Sequence, residues 1–432
     1  MKAMKSRILL SVILLMAALS GPLNAHAQFV TFNQFLTNTA AASASNYVGQ
    51  PGYAVQDTPT FQQMQQYILN LYQGVQVSQS FNLDGQYYDC VPIQQQPTYV
   101  QLGLQSVATP PGGIGPVPQA DTFAPQLGPQ DQYDQYNNAT SCAVGNIPMR
   151  RITIDEVSTF ATLQDFFSKE PDGNDDAPTP ANDPPHVYAY TAQNVANIGG
   201  NSVLNVWNPY VYTGLGQVFS LSQQWYTGGS GNNLQTVEGG WQNYPAKYKD
   251  ENARLFIFWT ADKYARLKCY NLDCPAFMQV NNTWILGGKF SNYSQSGGTQ
   301  YYFTMTWYFY QGNWWLARGN DSGRTWVGYY PASIFRGGQM SRYATSILYG
   351  GETVGFGNFS AMGSGAFANQ GYSYAAYQRQ VYYVDAANAV HWANLTPIQE
   401  SPGCYTVNGP LQQHNNTWGV YFYFGGPGGR GC

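Results

Sequence analysis

Tyr301-Tyr302-Phe303-Thr304-Met305-Thr306-Trp307-Tyr308-Phe309-Tyr310 is followed by Gln311-Gly312-Asn313 and then by Trp314-Trp315-Leu316-Ala317-Arg318. Every residue of the first run except Met305 is aromatic or β-branched, the side chains that suit a pleated, half-buried surface. The Gly-Asn step supplies a tight turn, so the stretch reads as two antiparallel strands. Thr325-Trp326-Val327-Gly328-Tyr329-Tyr330 follows an Asp-Ser-Gly turn and reads as a third. Working back along the chain, Leu255-Phe256-Ile257-Phe258-Trp259-Thr260 is a continuous apolar run, Phe219, Leu221, Gln223 and Trp225 alternate, and Val203 to Trp207 is a further strand. Gly199-Gly200, Gly228-Gly229, Gly287-Gly288 and Gly297-Gly298 supply hairpin and loop positions. Short strands with regular turn punctuation predict an antiparallel sandwich or barrel over residues 186–432. The lack of a fixed period argues against a propeller.

Residues 28–167 have a different character, rich in Gln and Tyr, and predict a smaller mixed α+β unit. Thr58 and Pro59 read as N-cap and N1 of a helix that carries Phe61, Met64, Tyr67, Ile68 and Leu71 on one face and is closed by Gly74. A second helix is expected from about Ile154 to Phe167. Residues 168–185 are dominated by Pro and Asp, from Glu170-Pro171-Asp172-Gly173 to Asp183-Pro184-Pro185. Such a segment builds neither core nor ladder and is expected to be an exposed linker. Exposed linkers are preferred sites of proteolytic nicking.

Lys2, Lys5 and Arg7 precede an apolar run from Ile8 to Leu19, and Ala25-His26-Ala27 supplies small residues at the cleavage positions. This predicts an export signal over residues 1–27, cut after Ala27. The run is too short to span a bilayer and no later segment qualifies, so the expected destination is extracellular or periplasmic, with no membrane partner. Export makes the six cysteines candidates for disulfides. Sequence order and spacing favour Cys90–Cys142, Cys269–Cys274 and Cys404–Cys432, although other connectivities exist. A net charge of −4 gives no basic footprint for nucleic acid. No His lies near a Cys at ligand spacing, so no metal or cofactor is expected.

Only 10% of the chain is charged, against a quarter or so in ordinary soluble domains. Few paired carboxylates means little to lose on acidification, which fits work in acid. Against that background two glutamates stand out. Glu238 lies in Thr236-Val237-Glu238-Gly239-Gly240-Trp241, and Glu352 in Leu348-Tyr349-Gly350-Gly351-Glu352-Thr353. Two acids whose surroundings push their pKa values apart are what a proton-shuttling hydrolase needs. The plainer alternative is a pair of turn-region acids in a β protein.

Further segments carry a resemblance. They include Ile147-Pro148-Met149-Arg150-Arg151, Asn205-Val206-Trp207-Asn208-Pro209, Phe219-Ser220-Leu221-Ser222-Gln223, Val237-Glu238-Gly239-Gly240-Trp241-Gln242 and Trp259-Thr260-Ala261-Asp262. Cys269-Tyr270-Asn271-Leu272-Asp273-Cys274, Gly312-Asn313-Trp314-Trp315-Leu316, Val327-Gly328-Tyr329-Tyr330-Pro331, Gly350-Gly351-Glu352 and Met362-Gly363-Ser364-Gly365 follow in order. Residues from about 140 to 425 thereby resemble the neprosin family, secreted glutamic endopeptidases, and Asp89-Cys90-Val91-Pro92 resembles the opening of that family's pro-domain. The resemblance implies a zymogen that is activated by acid, is inhibited by its own pro-domain, and cleaves peptides preferentially after proline. It makes Glu238 and Glu352 the catalytic pair. It also implies the Cys269–Cys274 loop and a disulfide near the C-terminus. The expected fold class is all-β: an antiparallel β-sandwich catalytic domain (186–432) preceded by a smaller mixed α+β pro-domain (28–167). Gly239 departs from the family's frequent alanine.

With no metal, no Cys nucleophile and no obvious His base, peptide hydrolysis leaves an activated water. Glu238 is assigned the base role and Glu352 the acid role, as a pair that titrates together. A proline slot should be flat and aromatic, and Trp241, Tyr329 and Tyr330 are its candidate linings. Ser364 resembles a nucleophile turn without the strand–turn–helix setting. Asp262 and Asp273 read as turn or capping acids, and Arg150-Arg151 as a solvated pair. Two rival functions fit the same residues: a glycosidase using the carboxylate pair, and a non-catalytic carbohydrate-binding β-sandwich.

Overall fold

The computed structural model describes residues 28–114, 133–169, 185–319, 324–411 and 417–432. The export signal and most of the Pro/Asp-rich linker lie outside the described residues. The N-terminal region holds α1 (Phe32–Ala41), α2 (Thr58–Leu71), α3 (Pro97–Gln101), α4 (Ile154–Val157) and α5 (Leu163–Phe167) around a three-stranded sheet of β1 (Gln79–Leu83), β2 (Gln86–Pro92) and β3 (Asn146–Arg150).

Capping chemistry sets the ends of these helices. Asp57, one residue ahead of the expected cap, accepts the Thr60 amide at 2.7 Å and opens α2, which buries Phe61, Met64, Ile68 and Leu71 on one face. The single helix expected over 154–167 is two short ones. Thr153 with Glu156 and Thr162 with Asp165 each close a capping box. A threonine hydroxyl that caps a new helix competes with continuation of the old one. Arg150 and Arg151 are buried rather than solvated. Arg150 meets Glu156 at 2.5 Å, and Arg151 reaches both oxygens of Asp89 at 2.7 Å. Pairing of each guanidinium with a carboxylate makes that burial tolerable.

The rest of the chain is strands. In order they are β4 (His186–Asn197), β5 (Gly199–Asn205), β6 (Gln217–Gly228), β7 (Gln235–Asn243), then α6 (Pro245–Tyr248), β8 (Arg254–Thr260), β9 (Lys268–Tyr270) and β10 (Met278–Gln279). There follow β11 (Tyr302–Tyr310), β12 (Asn313–Arg318), β13 (Thr325–Pro331), β14 (Ala344–Gly355), β15 (Asn358–Phe359), β16 (Ala376–Val384), β17 (Val390–Trp392) and β18 (Thr396–Gln399). The last three are β19 (Thr406–Asn408), β20 (Phe422–Gly425) and β21 (Gly429–Arg430). Among the described residues, two large antiparallel sheets form. One is seven-stranded in the order β18-β4-β14-β6-β7-β8-β9. The other is nine-stranded, β10-β13-β12-β11-β5-β16-β20-β19 with β17 on β16.

The two sheets pack face to face. Trp241 donates to the Asn205 carbonyl at 2.8 Å, Gln224 to the Met305 carbonyl at 2.9 Å, and the Tyr330 ring meets that of Trp259 at 6.4 Å. The architecture is an all-β sandwich with a small α+β region ahead of it. That region covers outward faces of both sheets. Phe160 packs on Tyr244, and the Phe166 carbonyl accepts from Lys247 at 2.9 Å, on the seven-stranded side. Residues 93–108 lie over Trp315 and Tyr329 on the nine-stranded side. Disulfides join Cys90 to Cys142, Cys269 to Cys274, and Cys404 to Cys432.

Candidate active site

Strand register builds the site. β6 lies between β14 and β7, with Leu221 opposite Glu352 and Trp225 opposite Glu238. Directly opposed residues point to the same side of a sheet, and Leu221, Gln223 and Trp225 alternate along β6. Both glutamates and Gln223 therefore share the outward face of the seven-stranded sheet. The flanking glycines, Gly239 and Gly351, point the other way. A Cβ on Gly351 would lie 2.4 Å from the Met362 sulfur, and one on Gly239 would lie 2.9 Å from the Met305 sulfur. Leaving out those side chains lets the layer behind close up directly beneath the acids.

Glu238 is 0% and Glu352 1% exposed, and each oxygen of the pair is engaged. The Lys169 ammonium contacts Glu238 Oε2, lies 3.6 Å from Glu352 Oε2, and donates to Gln223 Oε1 at 3.0 Å. Gln223 in turn donates to Glu352 Oε2 at 3.0 Å. Glu238 Oε1 accepts from Thr236 at 2.7 Å and from Tyr264 at 2.8 Å. Glu352 Oε1 meets His186 Nδ1 at 2.5 Å and accepts from Tyr188 at 3.2 Å. Rings of Trp225, Phe256 and Phe258 wall the ammonium.

Electrostatics follow from these contacts. Burial alone would raise the Glu352 pKa, but the Lys169 charge, His186 and the Tyr188 hydroxyl together hold it below its ordinary value. Burial, reinforced by the neighbouring carboxylates, pushes the Tyr188 and Tyr264 phenols well up, so both remain hydrogen-bond donors.

The structure thus brings Glu238 and Glu352 together, while the three residues expected to line a proline slot lie elsewhere. Trp241 stands three residues from Glu238 on one strand, so alternation turns it into the interior. Tyr330 is also interior, against Trp307. Tyr329 sits on the outer side of the other sheet, 4.6 Å from Trp315, with its hydroxyl accepting from the Ala108 amide. The rings beside the pair are Tyr188, Tyr190 and Trp225, mutually packed at 5.9–6.2 Å.

Lys169, Gln223, His186, Tyr188, Thr236 and Tyr264 carried no role in the sequence reading. His186, 2.5 Å from Glu352, lies at the site although the sequence offered no obvious histidine base. Lys169 had a signal of its own, since it is the only Lys or Arg between Arg151 and Lys247. Ser364 accepts from the Ala366 amide in a glycine-rich turn. Asp262 accepts the amides of Arg266 and Leu267, as a turn acid does. Asp273 pairs with Lys247 at 2.9 Å.

A β-sandwich with two buried glutamates on one outward face is the class of protein that fold and site define. The model of the Neprosin family matches residues 216–427, a span that includes both glutamates. Two solved structures are similar in part. "Crystal structure of Scytalido-glutamic peptidase with a peptide based transition state analog" is 9% identical at a TM-score of 0.31, covering 56% of this chain and 99% of that one. "Crystal structure of scytalido-glutamic peptidase with a transition state analog inhibitor" is 9% identical at 0.29, covering 56% and 98%. The family match supports a peptidase of the glutamic type acting on peptide or protein. Three disulfides are consistent with a secreted protein. Among the described residues no helix is long and apolar enough to cross a membrane.

Proposed function

We propose that this chain is the precursor of an exported, acid-acting endopeptidase that cleaves after proline. In this reading residues 28–167 are an inhibitory pro-domain, 168–185 the maturation region and 186–432 the catalytic domain. Glu238 and Glu352 are the catalytic residues. The observation that supports it best is Lys169, which lies at the start of the maturation region and puts one ammonium on both glutamates. A cation in that place balances one of the two carboxylates and occupies the space that water and a scissile carbonyl would need.

Removal of Lys169 changes the chemistry of the pair. Two buried carboxylates close together resist double ionisation, so one keeps a proton while the other is charged. Glu238, charged, takes a proton from water as that water attacks the carbonyl carbon. Glu352, protonated, polarises the carbonyl oxygen and then delivers its proton to the leaving nitrogen. Gln223, between them, holds the attacked oxygen or the water in place. His186 and Tyr188 orient Glu352, while Thr236 and Tyr264 orient Glu238. Tyr188, Tyr190 and Trp225 form the flat surface on which a proline ring packs.

Acid treatment of the purified precursor tests this reading, with mass spectrometry of the products and a proline-containing peptide assayed at about pH 3 and pH 7, a range set by carboxylate titration. The expected result is a cut between residues 168 and 186 and hydrolysis carboxyl-terminal to proline in acid only. An intact peptide beside a cleaved oligosaccharide would replace the peptidase by a glycosidase.

A further inference from the structure

The outer face of the nine-stranded sheet, on the far side of the sandwich from the glutamates, carries a second cluster. β16 bulges against β5 between Arg379 and Tyr382. Arg379, in the bulge, is 4% exposed, and its guanidinium lies between the Tyr302 ring at 4.9 Å and the Trp418 ring at 5.6 Å. Among the described residues it makes no ion pair, and its Nη1 has no hydrogen-bond partner. The next residue, Gln380, keeps a buried Nε2 in the same condition. Arg150, Arg151 and Arg254 are as deeply buried, yet Glu156, Asp89 and Asp250 respectively meet them. Buried charge normally has such a partner, and among the described residues Arg379 has none.

Of the rings around Arg379, Tyr302 and Tyr377 are buried, Trp418, Tyr421 and Tyr423 are half-buried, and Tyr372 is exposed. Tyr372, 54% exposed, meets Trp418 edge-on at 5.5 Å. Tyr377, Tyr421 and Tyr423 surround the same indole at 4.8, 5.0 and 6.0 Å. Flat rings with hydroxyl rims offer stacking for the apolar faces of sugars and hydrogen bonds at their edges. A carboxylate held rigidly beside such a sugar ring would meet the vacant guanidinium position bidentately. We propose that this cluster binds an acidic glycan, with a uronate carboxylate on Arg379 and sugar rings on Trp418 and Tyr372. An acidic peptide would satisfy the charge but leave the rings without a partner. Occupation of this face leaves the glutamate cleft free, so a polyuronate matrix would anchor the protein without blocking hydrolysis.

Calorimetric titration of the full chain carrying Glu238→Gln, a guard against self-cleavage on the proposed reading, tests the proposal whether or not that reading holds. The probes are an oligogalacturonate, a neutral galactose oligomer of equal length and a poly-glutamate peptide of equal charge. The oligogalacturonate is expected to bind, more weakly as salt rises, and about tenfold or more tighter than either control. Arg379→Met should weaken it about tenfold or more, the loss expected for a charged hydrogen-bond partner. Tyr372→Ala, at an exposed position, should weaken it at an unchanged melting temperature and keeps the test open should Arg379→Met fail to fold. Equal binding of the neutral oligomer or the poly-glutamate, no binding of the uronate, or indifference to Tyr372→Ala overturns the proposal.

Discussion

Lys169 and Glu352 stand 3.6 Å apart across a buried site, and the same ammonium touches Glu238. One residue at the start of segment 168–185, buried where an exposed linker was expected, thereby ties together two strands, β7 and β14, that are separated by β6. The glutamates face each other because register places them there, and a single ammonium lies against both. Stripping one partner from such a buried pair typically costs about 3–5 kcal/mol. In the proposed reading, chemistry at the pair requires the ammonium to leave.

Glu238→Gln and Glu352→Gln should each abolish most hydrolysis of a proline-containing peptide in acid. The expected fall in kcat is about 10²–10⁴-fold, the usual contribution of a general acid or base. Glutamine keeps the size and one acceptor of the native side chain, so circular dichroism should report an intact fold. Wild-type turnover in either variant would remove the pair from the mechanism.

Alanine at the glycines near Glu238 should separate two kinds of crowding. On Gly240 a Cβ would lie 1.9 Å from the Ser222 carbonyl oxygen and 2.7 Å from the Gln223 Cα, which are backbone and cannot rotate away. On Gly239 the nearest atom is the end of the flexible Met305 side chain. Urea unfolding should show Gly240→Ala destabilised by about 3 kcal/mol and Gly239→Ala by about 1 kcal/mol. Equal losses would mean that backbone approach is not what excludes a side chain at Gly240.

Trp225→Ala should raise KM with a smaller change in kcat and narrow the preference for proline over alanine at the cleaved position. The expected narrowing is about tenfold, as for loss of one ring surface in an apolar slot. Tyr329→Ala serves as the control, since Tyr329 packs on Trp315 on the other sheet. A specificity ratio that moves with Tyr329 and not with Trp225 would put the slot elsewhere.

Strand content was legible because aromatic and β-branched runs are long and the turns between them are marked by glycine. Both glutamates were legible because charge is scarce and each sits among glycines, whose absent side chains make room for Met305 and Met362. Alternation within a strand was legible too, yet the register between strands was not. Trp241 lies nearest to Glu238 in sequence, but a spacing of three residues places it on the opposite face. Tyr188 and His186 come to Glu352 only through the pairing of β4 with β14. The two arginines at 150 and 151 look like surface charge in sequence, because Asp89 and Glu156 declare themselves as partners only once β2, β3 and α4 have packed.

Lys169→Met removes the shared charge at nearly constant length, and its effect on pH dependence follows from linkage. Glu352 has its pKa lowered in the closed chain. A lowered carboxyl stabilises the closed state fully above the ordinary glutamate range, and that stability fades as pH falls through the lowered value. The wild-type precursor should therefore stay closed at neutral pH and open only on acidification beneath the ordinary glutamate range. Without the ammonium, two buried carboxylates repel, one pKa rises, and the segment is held by packing alone. A carboxyl of raised pKa makes closure weaker as pH rises. The fraction of precursor cut between residues 168 and 186, followed by mass spectrometry after a fixed time, should then exceed that of wild type above the ordinary glutamate range and lose the wild-type acid threshold. Lys169→Arg keeps the charge and should keep the wild-type window. Identical pH profiles for wild type and Lys169→Met would mean that closure rests on the contacts of Phe160 and Phe166, with the ammonium a bystander.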